Sequence, residues 1–137
     1  MFKKVLVAID GSECAERAFE KALEMTAPDG TLSVIHVLHL PLSVSSKKPV
    51  DFETFFKRGA RSFLVEHQKK AATRGLKADT ILIKGNPAEA ILNAATSTGA
   101  DLIIIGSRGQ GGIKGLMLGS VSSAVVQHAK IPVLVVR

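Results

Sequence analysis

The sequence predicts an α/β protein: a doubly wound, five-stranded parallel sheet with helices on both faces. Three observations carry that expectation. Short runs of Val, Ile and Leu alternate with longer stretches whose apolar residues recur at helical spacing, giving five strands and four helices in turn. Several of the short runs, such as residues 4–9 (KVLVAI) and Leu102-Ile103-Ile104-Ile105, are continuously apolar, as strands buried on both faces are. A glycine-rich loop follows the fourth run and leads into a helical pattern, an order that suits the carboxyl edge of such a sheet.

The first strand, 4–9, ends in Asp10-Gly11-Ser12, which is turn and helix-cap chemistry. From Glu13, small or apolar residues at Ala15, Ala18, Phe19, Ala22 and Leu23 mark a helix face, and Pro28-Asp29-Gly30 is expected to stop that helix. Residues 31–38 (TLSVIHVL) form the second strand, so the chain opens with a right-handed βαβ unit. Residues 41–49 (PLSVSSKKP) are turn formers, serines and lysines without periodicity, expected to make an exposed, mobile loop able to act as a lid. From Asp51, residues Phe52, Phe55, Phe56, Ala60, Phe63, Leu64, His67 and Ala71 mark one stripe of a long helix ending near Arg74-Gly75. That spacing favours packing over a cofactor-stacking role. Residues 78–84 (ADTILIK) are a more polar strand suited to a sheet edge. Asn86, Pro87 and Glu89 then supply the N-cap, the first helical position and the capping acid of a third helix. Ala88, Ile91, Leu92 and Ala95 form its buried face, and Gly99 ends it. Residues 101–105 are the fourth strand. After the glycine loop a helix runs to about Lys130, Pro132 breaks it, and Val133–Val136 is the fifth strand.

At 137 residues and 46% hydrophobic content, the chain is expected to be one domain, 1–137, able to bury its own core. Six Phe and no Trp or Tyr leave that core to aliphatic residues. The single cysteine, Cys14, excludes an intrachain disulfide and a cysteine-based zinc site. With no signal peptide or membrane-spanning run visible, the reading is cytoplasmic. The net charge of +6 invites a nucleic-acid partner, but the Lys and Arg residues are scattered and no exposed-looking aromatics are interleaved to stack bases.

Residues 106–123 (GSRGQGGIKGLMLGSVSS) read as a phosphate cradle. Glycines without Cβ let backbone N–H groups approach an anion, and the positive end of the next helix faces it. Ser120 and Ser122 add hydroxyl donors there. The alternative is a flexible loop whose glycines only fill turns. No register supplies a Walker loop, because Lys114 is followed by Gly115, and Arg108 occupies the second glycine position of a dinucleotide fingerprint begun at Gly106.

What fits is Gly106-x2-Gly109-x9-Gly119-Ser120, which resembles the nucleotide-binding motif of the ATP-binding branch of the universal stress protein family. The opening KKVLVAIDGSECAERAFEKAL and the closing HAKIPVLVVR resemble that family's first and last segments. The resemblance implies the adenine-nucleotide α-hydrolase-like fold, with strand order 3-2-1-4-5 and a switch point between strands one and four. It implies that Ala8 and Asp10 touch adenine and ribose, that Val37 makes a backbone contact to adenine, and that Gly106 lies on the ribose side. It implies further that Gly109, Gly119, Ser120 and Val121 hold the phosphates of ATP, with Mg or Mn bound through those phosphates. Arg108 and Lys114 are not fixed motif positions; a phosphate contact from Arg108 is a hypothesis drawn from its place in the loop. For Asp10 the residues alone also allow a plain turn or cap role. The resemblance implies a homodimer joined through Val133–Val136, whose apolar edge would otherwise be open.

No nucleophile elbow, histidine pair at metal spacing or carboxylate pair for acid–base work is present, so no catalytic residue is expected. His36 reads as a satisfied buried histidine and Cys14 as a small helical residue. Three functions stay open. The chain is a nucleotide-dependent stress sensor with slow or no hydrolysis, a genuine ATPase or nucleotide-transferring enzyme, or an interaction module that binds no nucleotide.

Overall fold

A computed structural model describes residues 1–39, 51–108 and 118–137, with side chains of 51–53 excepted. The expected lid at 41–49, Lys114 and the glycines from Gly109 to Gly115 lie outside the described residues. The elements are β1 (Phe2–Ala8), α1 (Glu13–Met25), β2 (Thr26–Leu38), α2 (Asp51–Thr73), β3 (Lys77–Lys84), α3 (Pro87–Thr98), β4 (Leu102–Gly106), α4 (Ser120–His128) and β5 (Val133–Val136). The strands form one sheet in the order β3-β2-β1-β4-β5. Every pairing is parallel. The fold and strand order are those expected, and β3 is an edge.

Alternate residues of each strand feed two cores. Val5, Val7, Leu32, Val34, Leu102 and Ile104 pack beneath Phe19 of α1 and Leu64 of α2. Leu6, Ile35, Ile103 and Ile105 pack beneath Ile91 of α3 and Val125 of α4. A strand that must satisfy both cores has no room for polar residues, which is why β4 is buried at all five positions.

Local chemistry sets several helix ends. Ser12 caps α1, its hydroxyl accepting the Ala15 N–H at 3.2 Å, with Glu13 and Glu16 in the first turn. Asn86 caps α3 by accepting the Glu89 N–H at 3.0 Å, Pro87 opens it, and Gly99 closes it in the left-handed region at φ 66°.

One expected boundary is corrected. α1 stops at Met25, before Pro28-Asp29-Gly30, and those three residues lie inside β2. Phe2 pairs with Thr26 and Lys4 with Thr31, so β2 bulges against β1 across the turn formers. A Cβ on Gly30 would lie 2.6 Å from the Lys3 carbonyl, so the bulge presses on backbone that only glycine tolerates. The Lys3 ammonium pairs with Asp29 across it. The helix stops because Thr26 is taken into the sheet beside Phe2 while its hydroxyl and N–H both bond the Ala22 carbonyl.

A second correction concerns the phenylalanine stripe. Phe63 packs against the core, but Phe55 is 72% exposed and Phe56 38%, because the first turns of α2 extend past the carboxyl ends of the strands.

Candidate functional site

β1 and β4 are neighbours whose chains leave the sheet to opposite faces, so their carboxyl ends open the crevice at which open α/β sheets place ligands. At the β1 exit, Ile9 N–H bonds the Ile35 carbonyl at 2.9 Å, and Asp10 Oδ1 accepts the Ser12 N–H at 2.9 Å. Gly11 supplies the positive φ of 86° that this Asx turn uses. Asp10 therefore fills its turn role with one carboxylate oxygen. Among the described residues the other oxygen makes no hydrogen bond to the protein.

At the β4 exit, Gly106 is buried against α1. A Cβ there would lie 2.8 Å from the Cys14 carbonyl carbon and 2.9 Å from the Ala15 nitrogen, so glycine allows the first turn of α1 to cross the strand end. Ser107 N–H donates to the Val136 carbonyl at 2.7 Å, and the Ser107 carbonyl accepts both the Gly119 N–H at 2.7 Å and the Ser122 hydroxyl at 2.8 Å. The two ends of the glycine loop are thus tied together beside β5.

This tie engages two residues expected at the phosphates. The Gly119 N–H, expected at a phosphate, is donated to Ser107, and the Ser122 hydroxyl is buried in the same knot. Gly119 is the N-cap of α4, without a side-chain cap, and a Cβ on it would meet the Ser107 oxygen at 3.3 Å. Ser120, Val121 and Ser122 follow as the first helical residues, whose N–H groups have no acceptor within the helix. Ser120 is exposed.

Arg108 is half-buried. Its carbonyl lies 3.5 Å from the Ser12 hydroxyl, which joins the two strand exits, and its guanidinium lies 4.0 Å from Cys14 Sγ. Arg17 donates to the same sulfur at 3.2 Å and Ser107 Oγ is 3.7 Å away. Burial is the largest single influence on the Cys14 thiol and raises its pKa; the hydrogen bonds from Ser107 and Arg108 and the Arg17 charge together outweigh it and hold the thiol below its ordinary value.

Ala8, Val37 and Val121 all pack on the core under α3 and α4. Asp10 faces the other side, where it lines a cleft of about 340 Å³ with Gly11, His36, Phe55, Phe56 and Phe63. That volume suits a small organic ligand. A larger depression, about 680 Å³, runs along residues of α2 alone between Thr54 and Lys69 and is lined by no strand residue. The smaller cleft, walled by the β1 exit, the end of β2 and α2, is the candidate site.

His36, expected as a satisfied buried histidine, has its ring bonded to the backbone and also borders the cleft. It is half-buried, and its Nδ1–H donates to the Ile9 carbonyl at 2.8 Å. The signal that finds it is strand alternation: Leu32, Val34 and His36 share a face of β2. Among the described residues no three His, Cys, Asp or Glu side chains gather as a metal site, and no helix is long and apolar enough to cross a membrane.

A five-stranded parallel sheet in the order β3-β2-β1-β4-β5, with helices on both faces and the crevice between the β1 and β4 exits, defines a class of doubly wound α/β proteins. The model of the Universal stress protein family matches residues 1–137, and the chain belongs to that family. Universal stress protein YxiE of Bacillus subtilis is 39% identical over 148 residues, covering 100% of both chains. A universal stress protein of Thermus aquaticus is 41% identical over 138 residues, with the same full coverage. The solved structure of hypothetical protein MJ0577 superposes with a TM-score of 0.89 at 29% identity, over 99% of this chain and 96% of that one. A universal stress protein in complex with cAMP has a TM-score of 0.72 at 25% identity, over 99% and 97% of the two chains. One from Archaeoglobus fulgidus in complex with dAMP has a TM-score of 0.68 at 25% identity, over 98% and 97%.

Proposed function

We propose that this chain is an ATP-binding universal stress protein, a nucleotide-dependent sensor or regulator of the stress response that hydrolyses ATP slowly or not at all. What supports the reading is that Asp10 follows β1 and the start of α4 is tied to Ser107 just after β4, so both lie at the carboxyl ends of two adjacent parallel strands. Two similar structures hold adenine nucleotides, cAMP and dAMP, which supports a nucleotide as the ligand class. In this reading residues 1–137 are one cytoplasmic domain. Asp10 receives ribose hydroxyls, while Ala8 and Val37 border the base. The N–H groups of Ser120 and Val121 hold phosphate oxygens together with the Gly109 segment, to which Arg108 adds charge. Gly106 and Gly119 serve by allowing close packing. Mg²⁺ or Mn²⁺ arrives on the phosphates. Homodimers form through β5, the apolar edge strand.

Calorimetric titration of the full chain with Mg-ATP, ADP and AMP tests the reading. Expected is saturable binding that Asp10→Ala weakens about tenfold or more, the loss of one charge-assisted hydrogen bond of roughly 1.5–3 kcal/mol. No heat and no retained nucleotide in millimolar ATP would overturn it. A monomeric mass at micromolar concentration would overturn the dimer.

A further inference from the structure

His67 sits outside the candidate site, yet its surroundings are unlike those of any other described histidine. It is 1% exposed, on the inner face of α2. Nδ1 lies 2.8 Å from the Phe63 carbonyl oxygen, and Nε2 lies 2.8 and 2.9 Å from the two carboxylate oxygens of Glu16 on α1. A carbonyl oxygen can only accept, so Nδ1 carries a proton. The near-equal distances from Nε2 to both Glu16 oxygens fit one N–H shared between them rather than a single carboxylic O–H donating to nitrogen. The Glu16 side chain is 38% exposed. Both ring nitrogens thus face oxygen acceptors, in a chamber whose other walls are Phe19, edge-on at 4.7 Å, and Phe63, at 4.6 Å.

Phe63 connects this chamber to the cleft. Its ring meets the His67 ring on one side and the His36 ring, at 5.5 Å, on the other, and both Phe63 and His36 line the cleft beside Asp10. The Glu16 bond ties α2 to α1 one helical turn from Ser12, which caps α1 at the crevice. We propose that His67 is a buried imidazolium that, held between Glu16 and the Phe63 carbonyl, positions the Phe63 and His36 wall of the Asp10 cleft without touching the ligand. His67 is thus a positioning residue, and its effect on nucleotide affinity rests on the reading that the cleft receives part of an adenine nucleotide. The other candidates carry less. Cys14 is a lone thiol with no sign of a ligand, and the basic outer face of α2 shows nothing of what covers it.

Two measurements on the full chain test the proposal. Nitrogen-detected NMR of the histidine rings at neutral pH is expected to show one imidazole with both nitrogens protonated, with and without Mg-ATP. In Glu16→Gln, which keeps shape but removes charge, that signature is lost, and the ring resonances of Phe63 and His36 move even without nucleotide. The affinity for Mg-ATP falls about fivefold or more, as for two coupled sites. A singly protonated His67 in the wild type, or Phe63 and His36 signals unmoved in a folded Glu16→Gln protein, overturns the proposal. Equal Mg-ATP affinity of wild type and variant overturns the coupling to the cleft. Absence of binding by the wild type sinks the nucleotide reading instead, while the NMR comparison still decides the positioning role. Where Glu16→Gln fails to fold, His67→Phe, which keeps the aromatic packing, is expected to displace the His36 signals in the same way.

Discussion

Gly106 invites a ligand explanation from its place in the motif, but its surroundings specify a packing one, and the two separate cleanly in Gly106→Ala. The added methyl would stand 2.8 Å from the Cys14 carbonyl carbon, 2.9 Å from the Ala15 nitrogen and 2.9 Å from Cys14 Cβ. Carbon–carbon contacts are favourable near 3.5–4.0 Å, so α1 must retreat by roughly 0.5–1 Å. The obstructing atoms are mostly helix backbone, which no rotamer change relieves. That retreat disturbs Ala18 and Phe19, both 0% exposed, and the Ser12 hydroxyl that reaches the Arg108 carbonyl. Overpacking of this kind costs about 1–3 kcal/mol, and the backbone contacts place Gly106→Ala at the upper end. With a urea slope of about 1.5 kcal/mol/M, the unfolding midpoint of nucleotide-free protein drops by about 2 M. Gly119→Ala is the control. Its methyl meets Ser107 and Arg108 atoms only at 3.3 and 3.4 Å, and the expected cost is about 1 kcal/mol or less. Urea unfolding monitored by circular dichroism, without nucleotide, measures both. A Gly106→Ala protein as stable as wild type but unable to bind ATP would refute the packing argument and return Gly106 to the ligand.

Three further outcomes follow from local geometry. Ser12→Ala removes the hydroxyl that accepts the Ala15 N–H and is expected to cost about 1 kcal/mol in the same unfolding assay, with Ser12→Gly costing less. Gly99→Ala forces a Cβ into a left-handed residue at φ 66° and is expected to cost about 1–2 kcal/mol, although its nearest neighbours are only atoms of the Lys4 side chain. Burial raises the Cys14 pKa, and Ser107, Arg108 and Arg17 more than offset it, so the native thiol titrates below the unfolded one. The native state therefore gains stability as pH rises, keeps the gain above the unfolded thiol's pKa, and loses it as pH falls through the native one. Arg108→Ala should raise the native midpoint, read from the Cys14 Cβ carbon shift, and an unmoved midpoint would remove Arg108 from the cause.

Much of the architecture was legible because its signals are local. Ser12, Asn86-Pro87 and Gly99 mark helix ends through bonds spanning no more than five residues, and the unbroken apolar run of β4 announces a strand covered on both faces. The placement of the expected site residues was legible in outline: Asp10 follows β1, Gly106 ends β4 and Gly119-Ser120 open α4, tied to the β4 exit through Ser107. Less legible was what each does there. That the Gly119 N–H serves Ser107, and that Gly106 exists for Cys14 and Ala15, depends on residues distant in sequence.

The amino-acid order alone determined which segments become strands and helices, since period, capping and turn chemistry act within a few residues. Only the tertiary structure decided the rest. It ended α1 three residues before Pro28 by pairing Thr26 with Phe2, turned Pro28-Asp29-Gly30 into a bulge, and left Phe55 at a cleft mouth instead of in the core. It also brought Glu16 to His67 across 51 positions of chain. The physical reason is common to all four: they turn on which backbone or side-chain atoms approach within contact distance once the layers are stacked, and no periodicity along the chain encodes that distance.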